Sequence, residues 1–201
     1  MEEILSGVHH WTSHHERIGQ PVHSCLIVHE GERLLVDPRV PEEGLEWFEG
    51  DLAPTHALLT NRHHYRHSGR FRERFGTTVW CHHAGLHEFE GGEEVEPVEF
   101  GQELPGDAVA LELGVLCEEE TAWLVRKEGG VLLLGDAVIL YGGELAFVPD
   151  DYLGEDPDAV KEGLKRSLGR LLEREFRHLL MAHGDPILDR GKERLREFVE
   201  R

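Results

Sequence analysis

Short apolar runs separated by turn-forming residues fill most of the chain, and helical spacing becomes prominent only towards the C-terminus. Ser24 to His29 and Arg33 to Asp37 read as two strands, and Glu30-Gly31 between them is a tight-turn signal, so they form a hairpin. Pro38 stops the second strand. Pro41 to Gly50 reads as a helix with Leu45 and Phe48 on one face. His56 to Thr60 is a buried strand, and a helix follows with Ser68 as N-cap and Gly76 as its stop. Thr77 to Cys81 is the next strand, leading into a helical segment from His83 to Phe89. Gly91 to Pro105 is acidic and rich in turn formers, which predicts a loop or edge hairpin.

Three further strands are expected at Ala108 to Leu113, Ala122 to Arg126 and Val131 to Leu134, with Lys127-Glu128-Gly129-Gly130 as the last turn. Tyr141 to Val148 reads as a loop or short hairpin. Pro157 to Glu175 is a long amphipathic helix, capped by Asp156, with Leu164, Leu168, Leu171, Leu172 and Phe176 at core spacing. Phe176 to Ala182 is the last strand and Lys192 to Val199 the last helix. No repeat or linker interrupts the pattern, so residues 1–201 form a single α+β domain with two sheets and helices outside them.

Composition narrows the function. Forty acidic against 21 basic side chains give a net charge of −19, which repels phosphate backbones. Nucleic acid is therefore disfavoured as a partner despite the local run of Arg62, Arg66, Arg70, Arg72 and Arg74. Three widely spaced cysteines, Cys25, Cys81 and Cys117, fit free thiols in a reducing cytoplasm better than a disulfide framework. Val131 to Tyr141, the longest apolar run, is broken by Gly135 and Asp136, and Met1-Glu2-Glu3 does not open a secretory signal, so no membrane segment is expected. Asn61 is the only asparagine; scarce amides and abundant charge suit a heat-tolerant protein.

The chemistry concentrates in Thr60-Asn61-Arg62-His63-His64-Tyr65-Arg66-His67-Ser68-Gly69, on a strand-to-helix loop. Neutral imidazoles in such a loop suit zinc, iron and manganese. The loop resembles the metal-binding loop of the metallo-β-lactamase superfamily, Thr-His-x-His-x-Asp-His. Three more landmarks follow the same order: Leu34-Leu35-Val36-Asp37-Pro38, Leu132-Leu133-Leu134-Gly135-Asp136 and Leu179-Leu180-Met181-Ala182-His183-Gly184. The resemblance spans the chain and implies a four-layer αββα sandwich. It also implies metal ligands at Asp136 and His183, with Asp37 supporting the loop. The loop itself departs from the pattern. From Thr60 without gaps, Asn61, His63, Tyr65 and Arg66 stand where ligands belong; shifted by one, Arg62, His64, Arg66 and His67 do. Arginine does not bind metal, and Val115 stands where a further histidine is expected.

Two functions remain open. The first is a hydrolase of a small ester, thioester or lactone with a reduced, mononuclear site. There His67 or His64, with His63 as a further candidate, joins Asp136 and His183 around one zinc, iron or manganese ion. Asp136 is the central group, because a carboxylate ending an apolar strand is costly unless paired or coordinated. Arg62, Arg66 and Tyr141 then contact an anionic small-molecule substrate. The second is a metal-free relative that binds a small anion or a protein, with arginine neutralising Asp136. The chain leaves open whether it forms a homo-oligomer. The other histidines, His9, His10, His14, His15, His23, His82, His83 and His87, read as surface groups, with a wall of the site or extra ligands as the alternative for the first five. Glu118-Glu119-Glu120 reads as a solvated turn, with an oxygen ligand as its alternative. Cys117, beside three carboxylates, is a poor nucleophile.

Overall fold

The computed structural model describes residues 1–201. Seven strands form the first sheet in sequential order: β1 (Glu2–Leu5), β2 (Val8–His15), β3 (Gln20–His29), β4 (Glu32–Val36), β5 (His56–Leu58), β6 (Thr78–His82) and β7 (Glu96–Val98). The first four pair antiparallel and the last three continue in parallel. The second sheet contains β8 (Glu103–Leu104), β9 (Ala108–Glu112), β10 (Thr121–Val125), β11 (Val131–Leu134) and β14 (His178–Met181), in the order β14-β11-β10-β9-β8. A separate hairpin, β12 (Ile139–Tyr141) and β13 (Glu144–Ala146), lies between β11 and β14 in sequence. The helices are α1 (Ser68–Phe75), α2 (Pro157–Leu171) and α3 (Gly191–Val199).

Side-chain alternation explains the layering. Leu34, Val36, Ile27 and Leu58 of the first sheet meet Trp123, Val125, Leu133 and Leu180 of the second in an inner core. Their neighbours Leu26, Leu35 and Leu59 point the other way, onto Phe71 of α1 and Phe48 of the segment before β5. Leu124, Leu132 and Leu134 likewise cover the outer face of the second sheet against Leu164 and Leu168 of α2 and Leu195 of α3. Strands buried on both faces need apolar residues at nearly every position, which is why β10 and β11 read as apolar runs. The result is four layers, αββα.

Most expected elements occur within a few residues of their predicted limits. The helix expected over Pro41 to Gly50 does not form; short 3₁₀ turns at Leu45–Phe48 and Gly50–Leu52 stand there instead. Gly44, at φ 81°, lies outside helical backbone space and breaks the run, although Phe48 still reaches the core. His83–Glu88 is also a 3₁₀ turn. Ser68 is the first residue of α1 rather than its cap. The acidic stretch from Gly91 to Pro105 is no hairpin, since its strands β7 and β8 join different sheets. No helix is long and apolar enough to cross a membrane.

Candidate metal centre

Register places the second sheet's contribution. Strands β11 and β14 run parallel, with Leu134 opposite Met181. Asp136 and His183 each lie two residues beyond that pair, so both leave the same sheet end side by side. In the first sheet β4 and β5 are parallel with Val36 opposite Leu58, which sets Asp37 beside the loop that begins at Thr60. The two sheet ends are bonded together: Thr121 N–H donates to Thr60 O (2.8 Å) and His23 N–H to Ala182 O (2.9 Å).

Two glycines permit this close approach. A Cβ on Gly135 would lie 2.5 Å from Thr60 Oγ1, and one on Gly184, at φ 110°, would lie 2.4 Å from Leu140 Cβ. The Gly-Asp and His-Gly pairs are thus steric requirements of a site in which the Thr60 loop presses on the end of β11 and the β12–β13 hairpin presses on the segment after β14.

Three donors converge. His64 Nε2 is 3.4 Å from Asp136 Oδ2, and His183 Nε2 is 3.3 Å from Asp136 Oδ1. The ring of His64 is buried and its Nδ1 is 2.8 Å from Asp37 Oδ2. Asp37 in turn accepts from Thr60 N–H (2.8 Å) and the Thr60 hydroxyl (2.7 Å). With Nδ1–H directed at Asp37, the neutral ring presents the lone pair of Nε2 to a carboxylate oxygen. Two lone pairs facing each other need a positive charge between them, either a second ring proton or a metal ion. Burial opposes charge on His64, but Asp136 and Asp37 outweigh it and hold the ring up at about 9. Burial opposes ionisation of Asp136 as well, yet His64 and His183 keep it well below the usual carboxylate range.

The donor set fits a metal ion. Asp136 Oδ1 is buried without a hydrogen-bond partner, the other two donors are imidazoles, and Asp37 on the far nitrogen of His64 is the usual outer support of a ligating histidine. Zinc, iron and manganese all accept this combination.

The loop distributes its remaining residues elsewhere. His67 Nδ1 accepts from Val40 N–H (2.9 Å), which turns it away from Asp136. His63 is exposed, bonded through its backbone to Asn61 Oδ1 (2.9 Å). Of the loop histidines only His64 joins the cluster, by way of an intervening 3₁₀ turn, Arg62–Tyr65, whose N-cap is Asn61. Asn61 Nδ2 lies 3.4 Å from Asp136 Oδ2. Arg66, at φ 46°, bends inward and donates to His23 O (2.9 Å) and Asp37 O (2.7 Å). Arg66 is therefore bound to the protein's own backbone rather than facing a substrate. Arg62 pairs with Glu119 and, more loosely, with Glu88. Tyr141 is 79% exposed on the β12–β13 hairpin.

Three neighbours differ from their sequence reading. His23 is buried, stacked on His10 with ring centroids 5.0 Å apart, and its Nδ1 lies 3.0 Å from His10 Nε2. Burial, reinforced by His10, pushes His23 down to about 4, and the pair forms a wall beside the cleft of Val36, Asp37, Leu133 and Met181. Glu119 and Glu120 are not solvated either; they are 1% and 0% exposed. Burial pushes Glu120 up to about 8, and its Oε1 has no partner. The sequence does carry a signal for this: Glu120 directly precedes the all-buried strand Thr121–Val125. The Cys117 thiol is pushed up by burial and by Glu119.

No family model and no curated protein sequence matches the chain. Solved structures do. A metallo-β-lactamase from Erythrobacter litoralis, holding β-mercaptoethanol in its active site, superposes with a TM-score of 0.71 at 17% identity over 99% of this chain and 95% of its own. The metallo-β-lactamase family protein TTHA1429 of Thermus thermophilus gives 0.69 at 22% identity, covering 98% and 80%. TTHA1623, solved in a di-iron-bound form, gives 0.68 at 24%, covering 87% and 93%. With its four layers and its likeness to these structures along nearly the whole length, the chain has the metallo-β-lactamase fold.

Proposed function

We propose that this protein is a hydrolase with one catalytic metal ion, held by His64, Asp136 and His183, acting on a small anionic ester, thioester or lactone. One observation carries the reading: two imidazole nitrogens converge on the two oxygens of Asp136 at 3.4 and 3.3 Å, with Asp37 anchoring the far side of one ring. Bound zinc, iron or manganese supplies Lewis-acid polarisation of a carbonyl and lowers the pKa of water to about 7. Asp37 keeps the His64 proton on Nδ1, so that Nε2 stays available as a donor. The stacked His10–His23 pair and the cleft of Val36, Leu133 and Met181 beside it form one wall of the pocket. Tyr141 is left to contact the substrate by its exposed ring, and Arg62 could do so only with its charge shared with Glu119.

A second reading rests on the same His64. A doubly protonated ring between Asp37 and Asp136 supplies the positive charge that an ion otherwise brings, and the protein is then a metal-free binder of a small anion or a protein. The two readings separate in one experiment. Metal content and hydrolysis of an ester, thioester and lactone panel are measured for the purified protein and for His183→Ala. The hydrolase reading expects the variant to lose one equivalent of metal and all hydrolysis together. Hydrolysis that persists undiminished, or metal content that does not change, sinks it.

A further inference from the structure

A second cluster of donors lies outside this centre, at the edge of the first sheet. Strand β6 ends at His82, which is paired in register with Val98 of the edge strand β7, and Glu99 follows directly. His83 Nδ1 lies 3.0 Å and His82 Nε2 4.0 Å from the same Glu99 oxygen, Oε2. His82 is only 4% exposed and is fixed in place by Phe100, stacked at 3.8 Å with an interplanar angle of 14°. The sequence marks none of this, because His82-His83 reads as the polar start of a surface turn.

We propose that His82, His83 and Glu99 form a second metal site, for zinc or a similar borderline ion, that staples β7 to β6. Two imidazoles and one carboxylate form a nitrogen-rich set that suits zinc and leaves a position for water, whereas magnesium and calcium prefer all-oxygen sets. The surroundings favour a cation. Glu99, Glu118 and Glu119 all lie close enough to act on His82, with Glu119 also paired to Arg62. One contact competes: Ala84 N–H lies 3.4 Å from His82 Nδ1, long for a hydrogen bond. Binding through Nε2 moves the ring proton to Nδ1 and gives up that weak contact. In return the ion ties together a strand of three residues that has one neighbour in its sheet.

The proposal is independent of the centre at Asp136, and the test keeps the two apart. The full-length protein is stripped with a chelator and titrated with zinc against a chromophoric competitor. His83→Ala and Glu99→Gln are tested alone and in the His183→Ala background. Both altered residues are exposed, so melting in chelator is expected to be unchanged. His183→Ala is expected to retain one equivalent, which His83→Ala or Glu99→Gln then abolishes; either change alone removes one equivalent from the wild type. Zinc is also expected to slow amide exchange across residues 96–100 in the His183→Ala protein and not when Glu99→Gln is added. Zinc uptake that survives both changes overturns the proposal, and so does the absence of uptake by His183→Ala when His83→Ala alone leaves the wild-type stoichiometry intact.

Discussion

The centre at Asp136 is built from two sources that behave differently. Asp136 and His183 come from the ends of adjacent parallel strands, two residues past a paired position, and the β11–β14 register sets them side by side. His64 comes from a loop that passes through a 3₁₀ turn and a left-handed residue, Arg66, before α1 begins. A strand end has one geometry, so its residues keep their roles when neighbours change. A loop can re-route. Here it substitutes an asparagine and an arginine at two expected ligand places and still delivers one imidazole by a different path. The three candidate donors are thus placed by sheet register on one side and by loop conformation on the other.

The strongest way to break this comparison is to remove the strand-end carboxylate. Asp136→Ala is expected to abolish metal binding at the centre and all hydrolysis, because both imidazoles face that one group. Elemental analysis and the substrate panel check it. If the metal stays, the strand ends are not the anchor. Asp37→Asn is the next largest. Asp37 sits at φ 45°, a backbone region that asparagine tolerates, so the change removes charge with little strain. Loss of the carboxylate behind His64 is expected to weaken metal affinity about 10- to 100-fold, as outer supports of ligating histidines generally do, and competition titration reads it.

The same contrast explains what the sequence discloses. The layers were legible because β10 and β11 are almost wholly apolar, and Asp136 and His183 because each follows an apolar run. The choice among His63, His64 and His67 was not legible, since it depends on Asn61 capping a short turn and on Val40 N–H claiming His67. Val40 lies 27 residues before His67, and a side-chain cap such as Asn61 leaves no mark in the hydrophobic pattern. His10 and His23 escaped for a similar reason: their contact follows from the antiparallel register of β2 and β3, which pairs His10 with Cys25 and Thr12 with His23. Glu120 was hidden by its two acidic neighbours, which make a buried carboxyl look like part of a solvated turn.

Glu120 offers a smaller, stability-based test on the loop side of the site. Its folded pKa is raised by burial from 4.5 to about 8. At pH values below 4.5 the carboxyl is protonated whether the chain is folded or unfolded, and it adds no electrostatic penalty. As pH rises towards about 8 only the unfolded chain releases the proton, so stability falls across that window and levels off above it. Glu120→Gln is expected to remove that slope. Relative to wild type, the variant gains stability with rising pH across that window, because it has no proton that only the unfolded chain releases. Denaturant melts at about pH 5 and about pH 8, on either side of most of that titration, read the difference. A constant offset between the two proteins would place Glu120 in solvent-like surroundings.

The smallest effect is the most discriminating for the loop. His67 and His64 lie three residues apart and both resemble ligands, but His67 Nδ1 is an acceptor for Val40 N–H. His67→Ala is therefore expected to cost only about 1 kcal/mol of stability, the net value of one hydrogen bond. Metal content and hydrolysis should stay at wild-type levels. His64→Ala, measured in parallel, should lose both. Unequal responses from two such close histidines mean that the turn capped by Asn61 decides which ring reaches Asp136. Loss of metal in His67→Ala would instead mean that the loop takes a second register when an ion binds, so that its conformation follows the ion and the strand ends alone are preset.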